Sequence, residues 1–256
     1  MADFYDKEEN ALEKRVMITE GDKPFNQLIV SYLLEQGHQV MTCFENKDVS
    51  DQYFSSIHSE WQERYHPMII PDTNEKSLSQ IQKAIEDRMD GLDILIHGNE
   101  MVNEEQWLEN NDLAFGDCIS SQFEQIYLFN KMAAELMIRA KSGEIIFPLI
   151  YDPLYYADYA SSPVLNQGKI SMMKCLSREL SAFKINVNVM TFGYHEKESD
   201  RLQKRKTKKM VEIFSLKPAL LHLKEMIPAL DILINPPVKN IGGENFHIGT
   251  GIETSL

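Results

Sequence analysis

One stretch, Gly143 to Tyr194, constrains this 256-residue chain more than any other. It opens on Gly143-Glu-Ile-Ile-Phe147, a short apolar run of strand character. A loop rich in tyrosine and proline follows, then a helix predicted over about Pro163 to Phe183, then Ile185-Asn-Val-Asn-Val-Met190. In the helical part Leu165, Met172, Met173, Leu176, Leu180 and Phe183 recur roughly three and four apart, which turns one face into a core. The second strand is β-branched and runs directly into Thr191-Phe-Gly193-Tyr194. Ligands of an open parallel sheet sit beyond the carboxyl ends of its strands. A site is therefore expected beside residues 191–194.

The rest of the chain repeats the same alternation. Strands are predicted at Arg15-Val-Met-Ile-Thr19, Gln39-Val-Met-Thr-Cys-Phe44, Pro67-Met-Ile-Ile70 and Leu92-Asp-Ile-Leu-Ile96. Helices fall between them: Leu28 to Leu34, stopped by Gly37; a polar, partly aromatic segment; Ser77 to Met89; and Phe123 to Ala140. Ala229 to Asn235 reads as a last helix and Gly242 to Gly251 as a last strand. Strands alternating with helices at this spacing specify right-handed crossovers and a parallel sheet. The expectation is one α/β domain, a Rossmann-like doubly wound parallel sheet over residues 15–256, after a flexible lead-in of residues 1–14.

Composition narrows the function. The formal net charge of −13 disfavours nucleic-acid binding, which needs a basic face. No apolar run reaches a membrane span, and the acidic Met1-Ala-Asp-Phe-Tyr-Asp6 is unlike a secretion leader. Cys43, Cys118 and Cys175 are scattered, without the spacing of metal ligands, so no metal is expected. Free cysteines suit a reducing, cytoplasmic setting.

Gly143-Glu-Ile-Ile, Arg178-Glu-Leu180, Ile185-Asn-Val-Asn188 and Gly193-Tyr194 resemble the second half of a short-chain dehydrogenase/reductase. The resemblance extends over nearly the whole chain and fails where that family does its chemistry. The family turn T-G-x-x-x-G-x-G bends tightly and lets a pyrophosphate approach the backbone. Here the turn reads Thr19-Glu20-Gly21-Asp22-Lys23-Pro24-Phe25-Asn26, with Glu20, Pro24 and Asn26 at the glycine positions. Proline lacks a backbone donor, and Glu20 and Asp22 bring negative charge to a helix start suited to an anion. Glu45 could meet a ribose, but reads as a solvated turn carboxylate. Asp72 lies near a position that contacts adenine in the family, and a turn or capping role explains it equally well. The family's N-N-A-G becomes His97-Gly98-Asn99-Glu100. His97 is a candidate general base whose alternative is a structural hydrogen bond.

The resemblance also implies a catalytic serine, tyrosine, lysine and upstream asparagine, the tyrosine moving the proton and the lysine lowering its pKa. The matching positions here are Ile150 (or Leu149), Ser162, Asn166 and Gln122. Lys169 could become the lysine only through a three-residue deletion that re-aims the buried face of its helix. Tyr155 and Tyr159 of the tyrosine-rich loop, and Tyr194, are expected to line a pocket. Lys197 stands where the family has a threonine. The segment 195–225 matches the substrate lid and contains a basic run, Arg201-Leu-Gln-Lys204-Arg-Lys-Thr-Lys-Lys209, either a solvated helix face or an anion contact. The helices at 123–140 and 163–183 match family assembly elements and are expected to carry apolar outer faces.

These departures define a catalytically silent member of the family, with no cofactor. Its expected partner is an active paralogue in a heterodimer or heterotetramer, with a hydroxyacyl-CoA as the expected substrate; a homo-oligomer is the other assembly open to it. The alternative is a cofactor-independent enzyme that re-uses the pocket for lyase- or dehalogenase-like chemistry.

Overall fold

The computed structural model describes residues 13–99, 104, 114–150, 162–193, 195, 196, 205, 209, 212 and 220–249. Seven strands carry the fold: β1 (Arg15–Ile18), β2 (Gln39–Phe44), β3 (Tyr65–Ile69), β4 (Ile94–Ile96), β5 (Gly143–Ile150), β6 (Ile185–Phe192) and β7 (Asn245–Ile248). The helices between them are α1 (Pro24–Glu35), α2 (Lys47–Ser56), α3 (Glu75–Met89), α4 (Ala114–Ala140) and α5 (Pro163–Leu180). Two single turns, α6 (Leu223–Met226) and α7 (Asp231–Ile234), precede β7. The strand order is β3-β2-β1-β4-β5-β6-β7, with every pairing parallel. The expected doubly wound sheet is therefore present, and its order reverses between β1 and β4.

Each central strand is buried on both sides, which explains its nearly continuous apolar sequence. Successive side chains alternate faces. Met17 joins Met41, Leu95, Ile145 and Phe147 under α3, α4 and α5. Val16 and Ile18 join Val40, Ile94, Ile96 and Ile146 under α1 and the 223–234 segment. The register follows the same logic, with Val16 opposite both Val40 and Ile94, and Gly143 to Ile150 running opposite Ile185 to Phe192.

Several element ends differ from the sequence reading for local reasons. α4 starts at Ala114 rather than Phe123, because Phe115, Cys118, Ile119 and Gln122 continue its half-buried stripe upstream. The 229–235 helix is broken: Ile227–Leu230 is a 3-10 turn, in which Pro228 has no amide for an α-helical ladder. α5 stops at Leu180, and the chain reverses through Lys184 at φ 61°. Phe183 is consequently exposed rather than in the core, while Met172 and Leu176 are only partly buried. Asn74, in a reciprocal capping box with Ser77, caps α3; Asp72 lies exposed in the preceding turn. The outward positions of α4 and α5 are mostly polar (Glu124, Lys131, Glu135, Gln167, Ser171 and Lys174), with Tyr127 and Val164 the large apolar exceptions among the described residues. The expected broad apolar faces are absent from the described part of these helices.

Candidate functional site at the switch point

The reversal of strand order brings the β1–α1 turn against the chain leaving β4. Thr19 donates its amide to the Ile96 carbonyl at 3.2 Å, and its Oγ1 accepts from the Gly98 amide at 2.8 Å. Glu20 adopts φ 56°, the left-handed region that glycine enters without strain. Its carbonyl accepts from the Lys23 amide at 3.2 Å and from Asn26 Nδ2 at 2.8 Å. Asn26 is fully buried, and its Oδ1 accepts from the Asn99 amide at 3.0 Å. A Cβ on Gly98 would lie 2.4 Å from the Thr19 carbonyl oxygen and 2.6 Å from Asn26 Nδ2. Asn26 thus fills the gap between α1 and the chain leaving β4. With Pro24 at the helix start and Glu20 in the turn, these residues do not fit a dinucleotide pyrophosphate.

Asp22, which the sequence suggests only as a repulsive charge, bonds across the edge. Its carboxylate accepts from the Glu45 amide at 2.7 Å and the Asn46 amide at 3.2 Å, just beyond β2. Glu45 itself is exposed. A narrow cleft lies alongside, lined by Thr19, Glu20, Phe44, Ile70, His97 and Ile126 among others.

His97 is 2% exposed and stacks on Phe147 with ring centroids 4.4 Å apart. Its Nε2 donates to Asn130 Oδ1 at 2.9 Å, the tautomer that gives both atoms a partner. Burial pushes its pKa down to about 3, opposed by the Asn130 bond and assisted by the positive charge of Lys169. A neutral ring with Nε2 already committed is a structural residue, the second of the two roles its sequence position allows.

Three of the four positions that the resemblance assigns to catalysis meet at one edge. Ile150 ends β5, and Ser162 and Asn166 open α5. Gln122 lies on α4 next to Phe123, whose ring packs against Gly168 of α5. Ser162 and Asn166 are each 2% exposed; Asn166 Nδ2 donates to the Ile150 carbonyl at 3.1 Å, while its Oδ1 is buried without a hydrogen bond. An asparagine held this way offers neither the charge nor the proton affinity of a lysine.

Two further residues escape the sequence reading. Glu104, 1% exposed, accepts with both oxygens from the amides of Val164 at 2.9 Å and Leu165 at 3.0 Å. Its carboxylate neutralises the positive end of α5, whose own N-cap Ser162 makes no side-chain cap. Nothing in the local sequence announces a partner sixty residues away. Lys169 is the other: it lies on the buried face of α5, 1% exposed, one turn beyond Asn166. The signal was available, since position 169 sits four residues from both Leu165 and Met173 in the apolar stripe.

Tyr155, Tyr159, Tyr194 and Lys197 lie outside the described residues, as does most of the 201–209 run; Arg205 and Lys209 are described and exposed. Among the described residues no cluster of His, Cys, Asp or Glu could hold a metal ion, and no helix is long and apolar enough to cross a membrane.

A doubly wound parallel sheet with its cleft at the strand-order reversal defines a protein of the dinucleotide-binding fold class. More specifically, the chain belongs to the short chain dehydrogenase family, whose model matches residues 14–209. It is 21% identical over 244 residues to the 3-oxoacyl-(acyl-carrier-protein) reductase FabG of Vibrio cholerae serotype O1, covering 93% of this chain and 97% of that protein. It is 22% identical over 242 residues to the enzyme of that name from Vibrio harveyi, with coverages of 93% and 97%. The Escherichia coli K12 protein of that name matches at 22% over 188 residues, covering 72% of this chain and 76% of the relative.

Proposed function

We propose that this chain is a catalytically silent subunit of a hetero-oligomeric, NAD(P)-dependent dehydrogenase, paired with an active member of the same family. The observation that carries this reading is the state of the catalytic edge. Ser162 and Asn166 stand where the family has its tyrosine and lysine, and the Asn166 amide is held by the Ile150 carbonyl. Neither side chain is a phenol whose proton an adjacent lysine would mobilise, nor the lysine that would do so. Reduction also demands a nicotinamide held at reaction distance, and positioning of that kind lowers barriers by roughly 7–11 kcal/mol. The filled β1–α1 turn works against it.

The substrate class follows the relatives, which are named as 3-oxoacyl-(acyl-carrier-protein) reductases. The complex accordingly acts on an acyl thioester, a 3-oxoacyl or hydroxyacyl compound. The subunit keeps a fully packed sheet, so it can supply a rigid surface even though the outward faces of α4 and α5 are mostly polar. Polar faces suit a regulated, exchangeable contact better than a permanent one. The test is purification of the chain from its native host. The expected result is a second family member with an intact glycine turn and Tyr-x-x-x-Lys, and 3-oxoacyl thioester reduction by the pair. Turnover of a 3-oxoacyl thioester with NADH or NADPH by this chain alone would refute the reading.

A further inference from the structure

The residues that keep a nucleotide out also make the connections a nucleotide would make. We propose that the carboxyl edge of this sheet is self-liganded: Asp22, Asn26 and Glu104 bridge the segments a dinucleotide would span, and close the edge without any small molecule. Each tie crosses between different strands. Asp22 joins the β1–α1 turn to the two amides after β2. Asn26 joins the same turn to the amide of Asn99 after β4. Glu104, further along the segment after β4, holds the first amides of α5 after β5. In order, the ties link the end of β2, the turn after β1, the end of β4 and the start of the helix after β5.

Packing at the centre of this chain of contacts is matched on both sides. Asn26 occupies a position where the resemblance puts glycine, and Gly98 one where it puts asparagine. A Cβ at 98 would strike the Thr19 carbonyl and the Asn26 amide, so the side chain from α1 needs a glycine opposite it. Buried backbone amides need acceptors, as those of Asn99 and Leu165 do here, whereas the Glu45 and Asn46 amides are tied at an exposed part of the edge. Here carboxylate and amide oxygens from the chain supply them, and the carboxylates repel an incoming phosphate as well. This inference stands on the single chain and is independent of any partner subunit.

Amide hydrogen exchange on the full chain, resolved by residue, tests it. In the wild type without ligand, the amides of Glu45, Asn46, Asn99, Val164 and Leu165 should be protected, and millimolar NAD or NADP should leave that protection unchanged. Asp22→Asn should lower protection at Glu45 and Asn46 by roughly tenfold or more, and Glu104→Gln should do so at Val164 and Leu165, because an amide side chain replaces one acceptor oxygen by a donor. Val16 and Ile145 in the sheet should keep their protection and so report an intact fold. Wild-type amides that exchange as fast as those of the variants would overturn the proposal, as would protection of them by NAD or NADP. If a variant does not fold, the wild-type nucleotide comparison still decides.

Discussion

His97 and Glu144 titrate away from their ordinary ranges in opposite directions. Burial holds the imidazole neutral, with a pKa near 3, and lifts the Glu144 carboxyl to about 7 against the opposing hydrogen bond from Asn186. The unfolded chain protonates His97 near pH 6.5, as the native chain does not, so His97 destabilises the fold as pH falls below that value. Glu144 runs the other way: the native carboxyl keeps its proton up to about 7, whereas the unfolded one releases it near 4.3, so its contribution is lost as pH rises. Each slope reaches about 1.4 kcal/mol per pH unit, and between about pH 4.5 and 6.5 the two offset one another. Urea melts across that window should therefore show Glu144→Gln gaining stability with rising pH relative to wild type, and His97→Asn losing it. Identical pH profiles for all three proteins would contradict these assignments. Gly98 is decisive in a steric sense. Gly98→Ala should cost about 1–3 kcal/mol, since the Thr19 carbonyl it meets is backbone and cannot swing aside; an unchanged melting temperature would count against the packed turn.

At the scale of the element, α5 shows what periodicity reveals and what it hides. The stripe of Leu165, Met173 and Leu180 is legible in the sequence because apolar burial repeats every three to four residues. The parallel sheet is legible from the alternation of strands with helices, whereas its strand order is not. The ties at the sheet edge are not legible, because Glu104 and Asp22 find their amides through tertiary contacts that leave no local trace. Lys169 shares the spacing of the apolar stripe and is buried with it. Its burial sharpens one prediction. Ser162→Tyr with Asn166→Lys restores the residue types of the family but puts a second buried cation one turn from the first. The double variant should lose a few kcal/mol of stability and gain no reductase activity on 3-oxoacyl thioesters. Turnover in a standard spectrophotometric assay would show that α5 alone separates this chain from its active relatives.

Across the whole molecule, family membership accounts for the sheet, and the filled edge accounts for the proposed silence. On the proposed reading, nucleotide should not stabilise this chain. A ligand at a hundred times its dissociation constant adds about 2.7 kcal/mol, a shift any melting scan resolves. Saturating NAD or NADP should leave the melting temperature of this chain where it is, and a rise of several degrees would indicate an accessible site. The acidic surface, with a net charge of −13, leaves the basic 201–209 run as a local exception within the same molecule. The most direct measurement is native mass spectrometry of the assembly isolated from its own host, counting chains and nucleotides together. The expected result is a hetero-oligomer whose dinucleotide count equals the number of partner chains, with none assigned to this one. A homo-oligomer carrying one dinucleotide per chain would contradict the account.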